Sequence, residues 1–598
     1  MQLTVSRLYH TLRYYRPRQI FYRFLARSTA HRAPGVVRRL CAQRGLEVRG
    51  PLDGIAEPVA EGPRFVLNDR GITLRLLNRE YYTSFHLEWR VIERQIVSRL
   101  GRFHLHYHEF FLPKCGGDVL PAAPQQIWNW ISNWIESYSL PSSAYSPDAW
   151  HPYVVSRRIP VWVKLFSVYP PEGLLAQRVL DSLSAQARWL RKNLEFDVRG
   201  NHLIQNLRGL AVAGAFFAGS EPDEWLRTAS KVLFRECQEQ ILSSGEHFER
   251  SPMYHVDVLL ALADMRDAFQ AAWGGAPDYL DAVIARMAEF LGKVLHPDGQ
   301  IPLFGDSTLD LTPLPRQVFA RLRMDFSNLE PERAVSYQVG DYWVYREGGN
   351  FLIFDAGPVG PDHLPAHAHA DLLTFEASWG GKRLVVDAGV YDYEDSPERA
   401  YCRGTRAHNT LEINGQNQCD IWSRFRMGRR GWPGGMHCDR VGPFHYAWCT
   451  HNAYRHLGCP EVRRLIICIE KGPWLIAAWV MGRSQASLAS RLHIPSEWNI
   501  CSPSENGAVL ELPPARLIIE PGSASGHTWK HGTANYFPQF GVKESAHELV
   551  LEGTTPNVLI WQIRSHDVES AGCVVSDRAA SIVHCGHECI VFFFEERN

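Results

Sequence analysis

The sequence predicts an α+β multidomain fold, in which an N-terminal helical array, an (α/α) toroid, precedes a C-terminal antiparallel β-sandwich. Three observations predict it. The 598 residues exceed what one core of ordinary size organises. Apolar residues recur at helical spacing through residues 76–332. From 333 to 598 they fall into short β-rich runs bounded by Gly, Pro, Asn and Asp.

Residues 1–75 read as a basic N-terminal extension. No Asp or Glu occurs between Met1 and Leu46, whereas Arg13, Arg16, Arg18, Arg23, Arg27, Arg32, Arg38, Arg39 and Arg44 do, with Tyr and Phe between them. Such a segment suits peripheral contact with an anionic membrane face or an acidic polysaccharide, or it packs as a basic arm on the main domain. In the helical stretch, segments such as APQQIWNWISNWIESYSL and DYLDAVIARMAEFLGKVL carry apolar residues every three or four positions, and Gly and Pro separate them. The later runs include YWVYREGGNFLIFDAG, LLTFEASWGGKRLVVDAGVY and RRLIICIEKGPWLIAAWVMG. Where the two halves meet there is a seam, and ligand sites favour seams.

Composition narrows the class. With 45% hydrophobic and 21% charged residues the chain is globular, which excludes a fibre or a disordered tract. Aromatic residues make up 12%, which suits stacking on sugar faces, although large cores also hold many rings. A net charge of -1 argues against a nucleic-acid-binding protein and leaves room for a local basic cleft. The 13 Cys form no CxxC pair and read as reduced thiols. The His584–Cys589 cluster matches no standard zinc spacing and reads as a turn between two late strands. No apolar run approaches the ~18 residues of a membrane helix. With no secretory h-region either, the expectation is a cytoplasmic chain, the alternative being a periplasmic or membrane-associated one.

Three clusters carry candidate chemistry. Asn201-His202-Leu203-Ile204-Gln205-Asn206 opens a helix, with Asn201 and Gln205 on one face; capping alone would also explain Asn201. In Glu246–His255, Ser251 reads as an N-cap and Pro252 as the first helical residue. Tyr254 and His255 then lie in the first turn, where partial positive charge favours a carboxylate. In Pro365–Asp371, His367, His369 and Asp371 alternate as on one strand face. Asp387 and His408 sit at neighbouring strand ends. His369, Asp387 and His408 suit a zinc site or, equally, a hydrogen-bonded polar cluster.

Taken in order, NHLIQN, HFERSPMYH, HAHADLLTFE, LVVDAGVY, YCRGTRAHNT and VRRLIICIE resemble the heparinase II/III family, over most of the chain. The resemblance implies a polysaccharide lyase acting on a uronic-acid polymer, a glycosaminoglycan or an exopolysaccharide. It implies Tyr254 and His367 as the acid–base pair and Asn201 and His202 as groups that neutralise the uronate carboxylate. His369, Asp387 and His408 match the ligands of a structural zinc, with calcium as the alternative. Tyr401 matches a tyrosine used by some alginate-cutting relatives. Gln205 stands where some members carry an acidic residue, and with Glu249, Arg250, His255 and Tyr401 it completes the candidate substrate contacts.

The chemistry explains the residue types. Removing the C5 hydrogen of a uronate builds enolate charge on the carboxylate, which donors must stabilise. A base must reach C5, and an acid must protonate the oxygen leaving C4. Tyr254 and His367, one from each half, are expected to flank the sugar. Two rivals are a zinc-dependent glycan hydrolase, which lacks an HExxH-type helix here, and a non-catalytic polysaccharide-binding or assembly protein.

Overall fold

The computed structural model describes residues 5–52, 54–55, 65–113, 120–139, 141–325, 331, 333–482, 485–504, 507–522 and 526–593. Helices dominate as far as Leu322 and antiparallel strands from Val335 onward. The expected division into a helical half and a sheet-rich half therefore holds, with one addition. A three-stranded sheet, Phe65–Asn68, Gly71–Leu76 and Arg79–Thr83, precedes the long helices.

The helix Gly200–Phe216 is the axis of the helical half. All of its residues except His202 and Arg208 are buried. It packs on Pro152–Val168, Ser220–Gln240 and Pro252–Trp273. Small residues permit this: a Cβ on Gly209 would sit 2.8 Å from the Ser156 backbone, and one on Gly214 would sit 2.9 Å from the Pro222 carbonyl. The helix thus carries its N-terminal turn to the seam at a fixed height. Pro252–Trp273 begins at the same seam. The Ser251 side chain accepts from the Tyr254 amide and Pro252 occupies the first turn, as the sequence predicts.

In the sheet-rich half a five-stranded sheet runs Val335–Val339, Tyr342–Glu347, Asn350–Asp355, Phe375–Trp379 and Lys382–Val385 in sequence order. An eight-stranded sheet is built around Phe444–His451, Glu461–Ile469 and Trp474–Met481, and a four-stranded sheet around Ser487–Pro495 and Glu544–Thr554. One apolar core spans the three, with Phe375 from the first, Ile466 and Trp474 from the second and Leu492 and Leu549 from the third. The cluster around Cys585 is the turn between Ala579–His584 and His587–Phe592. The cysteines among the described residues are all free.

The basic N-terminus is folded onto both halves. The helix Val5–Leu12 lies on the sheet-rich side, where Arg7 pairs with Asp420 at 2.6 Å. The helix Pro17–Thr29 lies on the helical side, where Arg16 pairs with Glu239 at 2.5 Å. No helix among the described residues is long and apolar enough to cross a membrane.

Candidate active site

A cavity of 490 Å³ opens at the seam. Asn201, His202, Glu249, Tyr254 and Met253 line it from the helical half, and Pro365, Ala366, His367, Tyr393 and Phe425 from the sheet-rich half. All four predicted catalytic residues meet here.

The loop before Asn201 is bent for this purpose. Arg199 and Gly200 both have positive φ, +65° and +55°. A side chain on Gly200 would collide with Glu249, its Cβ only 1.9 Å from Oε1. Glycine lets Glu249 reach the helix end and accept from the Asn201 amide at 3.0 Å and from Asn201 Nδ2 at 2.9 Å. A carboxylate only accepts, so this bond fixes the orientation of the Asn201 amide. The second Nδ2 hydrogen points to His367 Nε2, 3.4 Å away. His367 Nε2 is therefore the acceptor nitrogen.

The other nitrogen explains why. His367 Nδ1 donates to Asp306 Oδ2 at 2.8 Å. Asp306 also accepts from His369 Nε2 at 2.8 Å and is gripped by both Arg399 guanidinium nitrogens. Burial disfavours a charged Asp306, but Arg399 and the two imidazoles outweigh it and hold the carboxyl well below the usual range. Sequence reasoning missed both Asp306 and Arg399. The only local signal is the Gly305-Asp306-Ser307 turn, where a Cβ added to Gly305, at φ +56°, would sit 2.9 Å from the His367 carbonyl oxygen.

Tyr254 and His367 do not oppose each other across the cavity as expected. Their rings stack at 3.9 Å between centroids, so they form one wall. The Tyr254 hydroxyl is 3.0 Å from the Tyr393 hydroxyl. Burial, reinforced by Tyr393, pushes the Tyr254 pKa well above 10 and keeps the phenol protonated. Tyr393 is a third residue that sequence reasoning passed over, in favour of Tyr401. The short helix Pro397–Cys402 turns Tyr401 toward Phe537, 6.2 Å between rings, and away from the cavity.

His202 completes the wall nearest the helix end. Its ring lies 4.2 Å from that of Tyr153, and Nδ1 donates to Glu195 Oε1 at 3.0 Å. Burial opposes a charged imidazole, but Glu195 more than offsets it, and the net pKa of His202 is raised. Glu195 in turn falls to about 2 against its own burial, chiefly through the charge of His202. Arg23, Arg27 and Arg426 also line the cavity, and Arg27 and Arg426 have no ion-pair partner among the described residues.

Besides Tyr401, three predicted substrate contacts lie elsewhere. Gln205 is buried behind the wall and donates to Asp257 Oδ2 at 2.8 Å. Arg250 is buried between Glu246 and Asp341, 3.4 Å and 3.0 Å away. His255 donates to the Met287 carbonyl at 2.9 Å. Each satisfies a buried polar group rather than facing the cavity. Of the five candidate contacts, Glu249 alone lines it.

His369, Asp387 and His408 converge as their spacing suggests, although Pro365–Asp371 is an irregular loop and not a strand. One ligand atom from each lies within 4.8 Å of the others, and all three residues are buried. His369 Nδ1 and His408 Nε2 are buried without hydrogen-bond partners. The orphaned His369 Nδ1, with the Asp387 carboxylate and the His408 Nδ1 that lies 2.8 Å from it, fits a divalent transition metal.

Comparison with known proteins bears on the family and the fold. Residues 79–330 match the family model "Heparinase II/III N-terminus" and residues 330–582 match "Heparinase II/III-like, C-terminal". A heparin-sulfate lyase of Bacteroides thetaiotaomicron is 26% identical over 367 residues, 52% of this chain and 51% of that protein. The FtsZ-localized protein C of Caulobacter vibrioides is 25% identical over 393 residues, 62% of this chain and 64% of that one. The chain spans about half the length of the curated heparin-sulfate lyases it matches, between 51% and 58%. A crystal structure of heparinase III superposes with a TM-score of 0.71 at 18% identity, covering 98% of this chain and 99% of the other, so the fold is shared.

Proposed function

The chain belongs to the heparinase II/III family, and on that premise we propose that it is a polysaccharide lyase cleaving a uronate-containing polymer by β-elimination. Its helical half reads as an (α/α) toroid and its sheet-rich half as an antiparallel β-sandwich, with the substrate chain lying in the seam. The observation that carries the activity is the hydrogen-bonded line Asn201–His367–Asp306, which crosses from one half to the other beside a protonated Tyr254.

That line gives each residue a task. His202, whose cationic form Glu195 favours, takes the uronate carboxylate and stabilises the charge that grows there. Asn201 offers the same carboxylate the N–H that otherwise bonds His367, which frees the Nε2 lone pair. His367, with its Nδ1 proton fixed by Asp306, accepts the C5 proton at Nε2. The C5–H electron pair becomes the C4=C5 double bond and the C4–O bond breaks. Tyr254 gives its proton to the departing oxygen and is restored through Tyr393 or solvent. Because base and acid stack on one wall, H5 and O4 must lie on the same ring face. Glucuronate meets that condition and iduronate does not.

His369, Asp387 and His408 would hold a structural zinc, in preference to calcium because two of the three ligands are imidazoles. Bound there, the metal would stiffen the loop that carries His367, since His369 and His367 share Asp306. A panel of heparan sulfate, alginate and glucuronate-containing exopolysaccharide, read by ultraviolet absorbance of the unsaturated end, tests the proposal. Absorbance is expected to rise on a glucuronate polymer. No rise on any uronate polymer would reject lyase activity.

A further inference from the structure

The two N-terminal helices are turned inside out. A surface helix normally buries its apolar stripe. Here the polar residues face the protein. On Val5–Leu12, Arg7 pairs with Asp420 and buried Thr11 accepts from Trp422 Nε1 at 3.1 Å. On Pro17–Thr29, Arg16 pairs with Glu239 and buried Gln19 donates to the His363 carbonyl at 3.4 Å. The apolar residues face outward. Val5, Leu8, Tyr9 and Leu12 are exposed on the first helix, Val5 by 86%. On the second, Ile20, Phe21, Phe24 and Leu25 form one stripe at helical spacing, with Phe21 61% and Phe24 72% exposed.

Ion pairs on the inner faces fix this orientation, so the apolar surface is a built feature that needs a cover. The charge around it identifies the cover. Arg13, Arg18, Arg27 and Arg32 are exposed beside the stripe, and the first 46 residues hold no acidic side chain. A second copy of the same face would set arginine against arginine, which opposes self-association. An anionic lipid surface satisfies both parts, since rings enter the interfacial zone while guanidinium groups meet phosphates.

We infer that the helices Val5–Leu12 and Pro17–Thr29 dock the protein peripherally on an anionic membrane. Arg23 and Arg27 of the second helix line the cavity, so docking holds its mouth beside the headgroups.

Flotation of the whole chain with phosphatidylcholine vesicles, with and without phosphatidylglycerol, tests this. Binding is expected on the anionic vesicles and should weaken with salt. Phe21→Ala/Phe24→Ala should leave the circular dichroism and melting midpoint unchanged and lower partitioning by about tenfold per phenylalanine. Arg18→Gln/Arg32→Gln should lower it about fivefold per charge on anionic vesicles only. Absence of wild-type binding at low salt, or binding indifferent to the phenylalanine pair, would overturn the inference. So would a dimer seen by light scattering that Phe21→Ala/Phe24→Ala dissociates while vesicles bind neither form.

Discussion

Asp306→Asn replaces a fully buried carboxylate that accepts from His367, His369 and both Arg399 guanidinium nitrogens. An amide in that place has one acceptor oxygen and an NH2 that must face a donor. Two costs follow. The Arg399 cation loses its buried partner, and breaking such a pair costs about 3–5 kcal/mol. If the NH2 faces His367, the ring proton moves to Nε2, and the nitrogen aimed at C5 no longer accepts. The expected loss is that of a general base, about 10²–10⁴ in turnover, which corresponds to about 3–5.5 kcal/mol on the barrier. Arg399→Met in the same chain separates the two costs. The double variant should recover much of the thermal stability lost by Asp306→Asn, because no cation is stranded, yet remain inactive. Circular dichroism melting and initial rates of ultraviolet-absorbing product, both with excess zinc, read the two effects. Near wild-type turnover in the folded Asp306→Asn protein would refute the assignment of His367 as a base oriented by Asp306.

Other consequences follow from the same geometry. Tyr254→Phe keeps the stacked ring and removes the proton donor, so turnover should fall about 10²–10⁴-fold without loss of fold; Tyr401→Phe, outside the cavity, should leave it nearly unchanged, and steady-state kinetics compare the two. Glu195 raises the His202 pKa above 6.5, so its cation is fully present below that value and lost as pH rises through the folded pKa. KM for a uronate polymer should therefore climb on the alkaline side, and the same climb measured in His202→Gln would contradict the role of His202. Purified protein should carry one zinc by elemental analysis. Chelation should lower the melting midpoint, by about 4 kcal/mol of stability where free metal stood ~1,000-fold above its Kd. His369→Ala should abolish both the metal and the chelator effect.

The sequence revealed the architecture because helical and strand periodicities are written in consecutive residues. It revealed Asn201, His202, Tyr254 and His367 because each sits in a run whose order resembles the family's. It misled wherever function depends on what lies across space. The His-Ala-His-Ala alternation in Pro365–Ala370 mimics a strand, but the segment is an irregular loop whose carbonyls are held by Arg399 and Arg403. Asp306 orients His367 from 61 residues away, with no periodicity to link them. The resemblance points to Tyr401, but the turn of Pro397–Cys402 carries it away from the cavity that Tyr393 lines. Gln205, Arg250 and His255 look like ligand contacts because they are polar residues beside the proposed catalytic ones, yet each satisfies a buried partner. The basic extension was legible as charge, whereas its outward apolar face depends on Asp420 and Glu239, both distant in sequence.

The central claim is elimination rather than hydrolysis, and digestion of a glucuronate polymer in water labelled with heavy oxygen tests it most directly. The account predicts fragments with an unsaturated, ultraviolet-absorbing end and no heavy oxygen at the new termini by mass spectrometry. Saturated fragments that each carry one heavy oxygen, formed by protein whose cavity residues are intact, would contradict it.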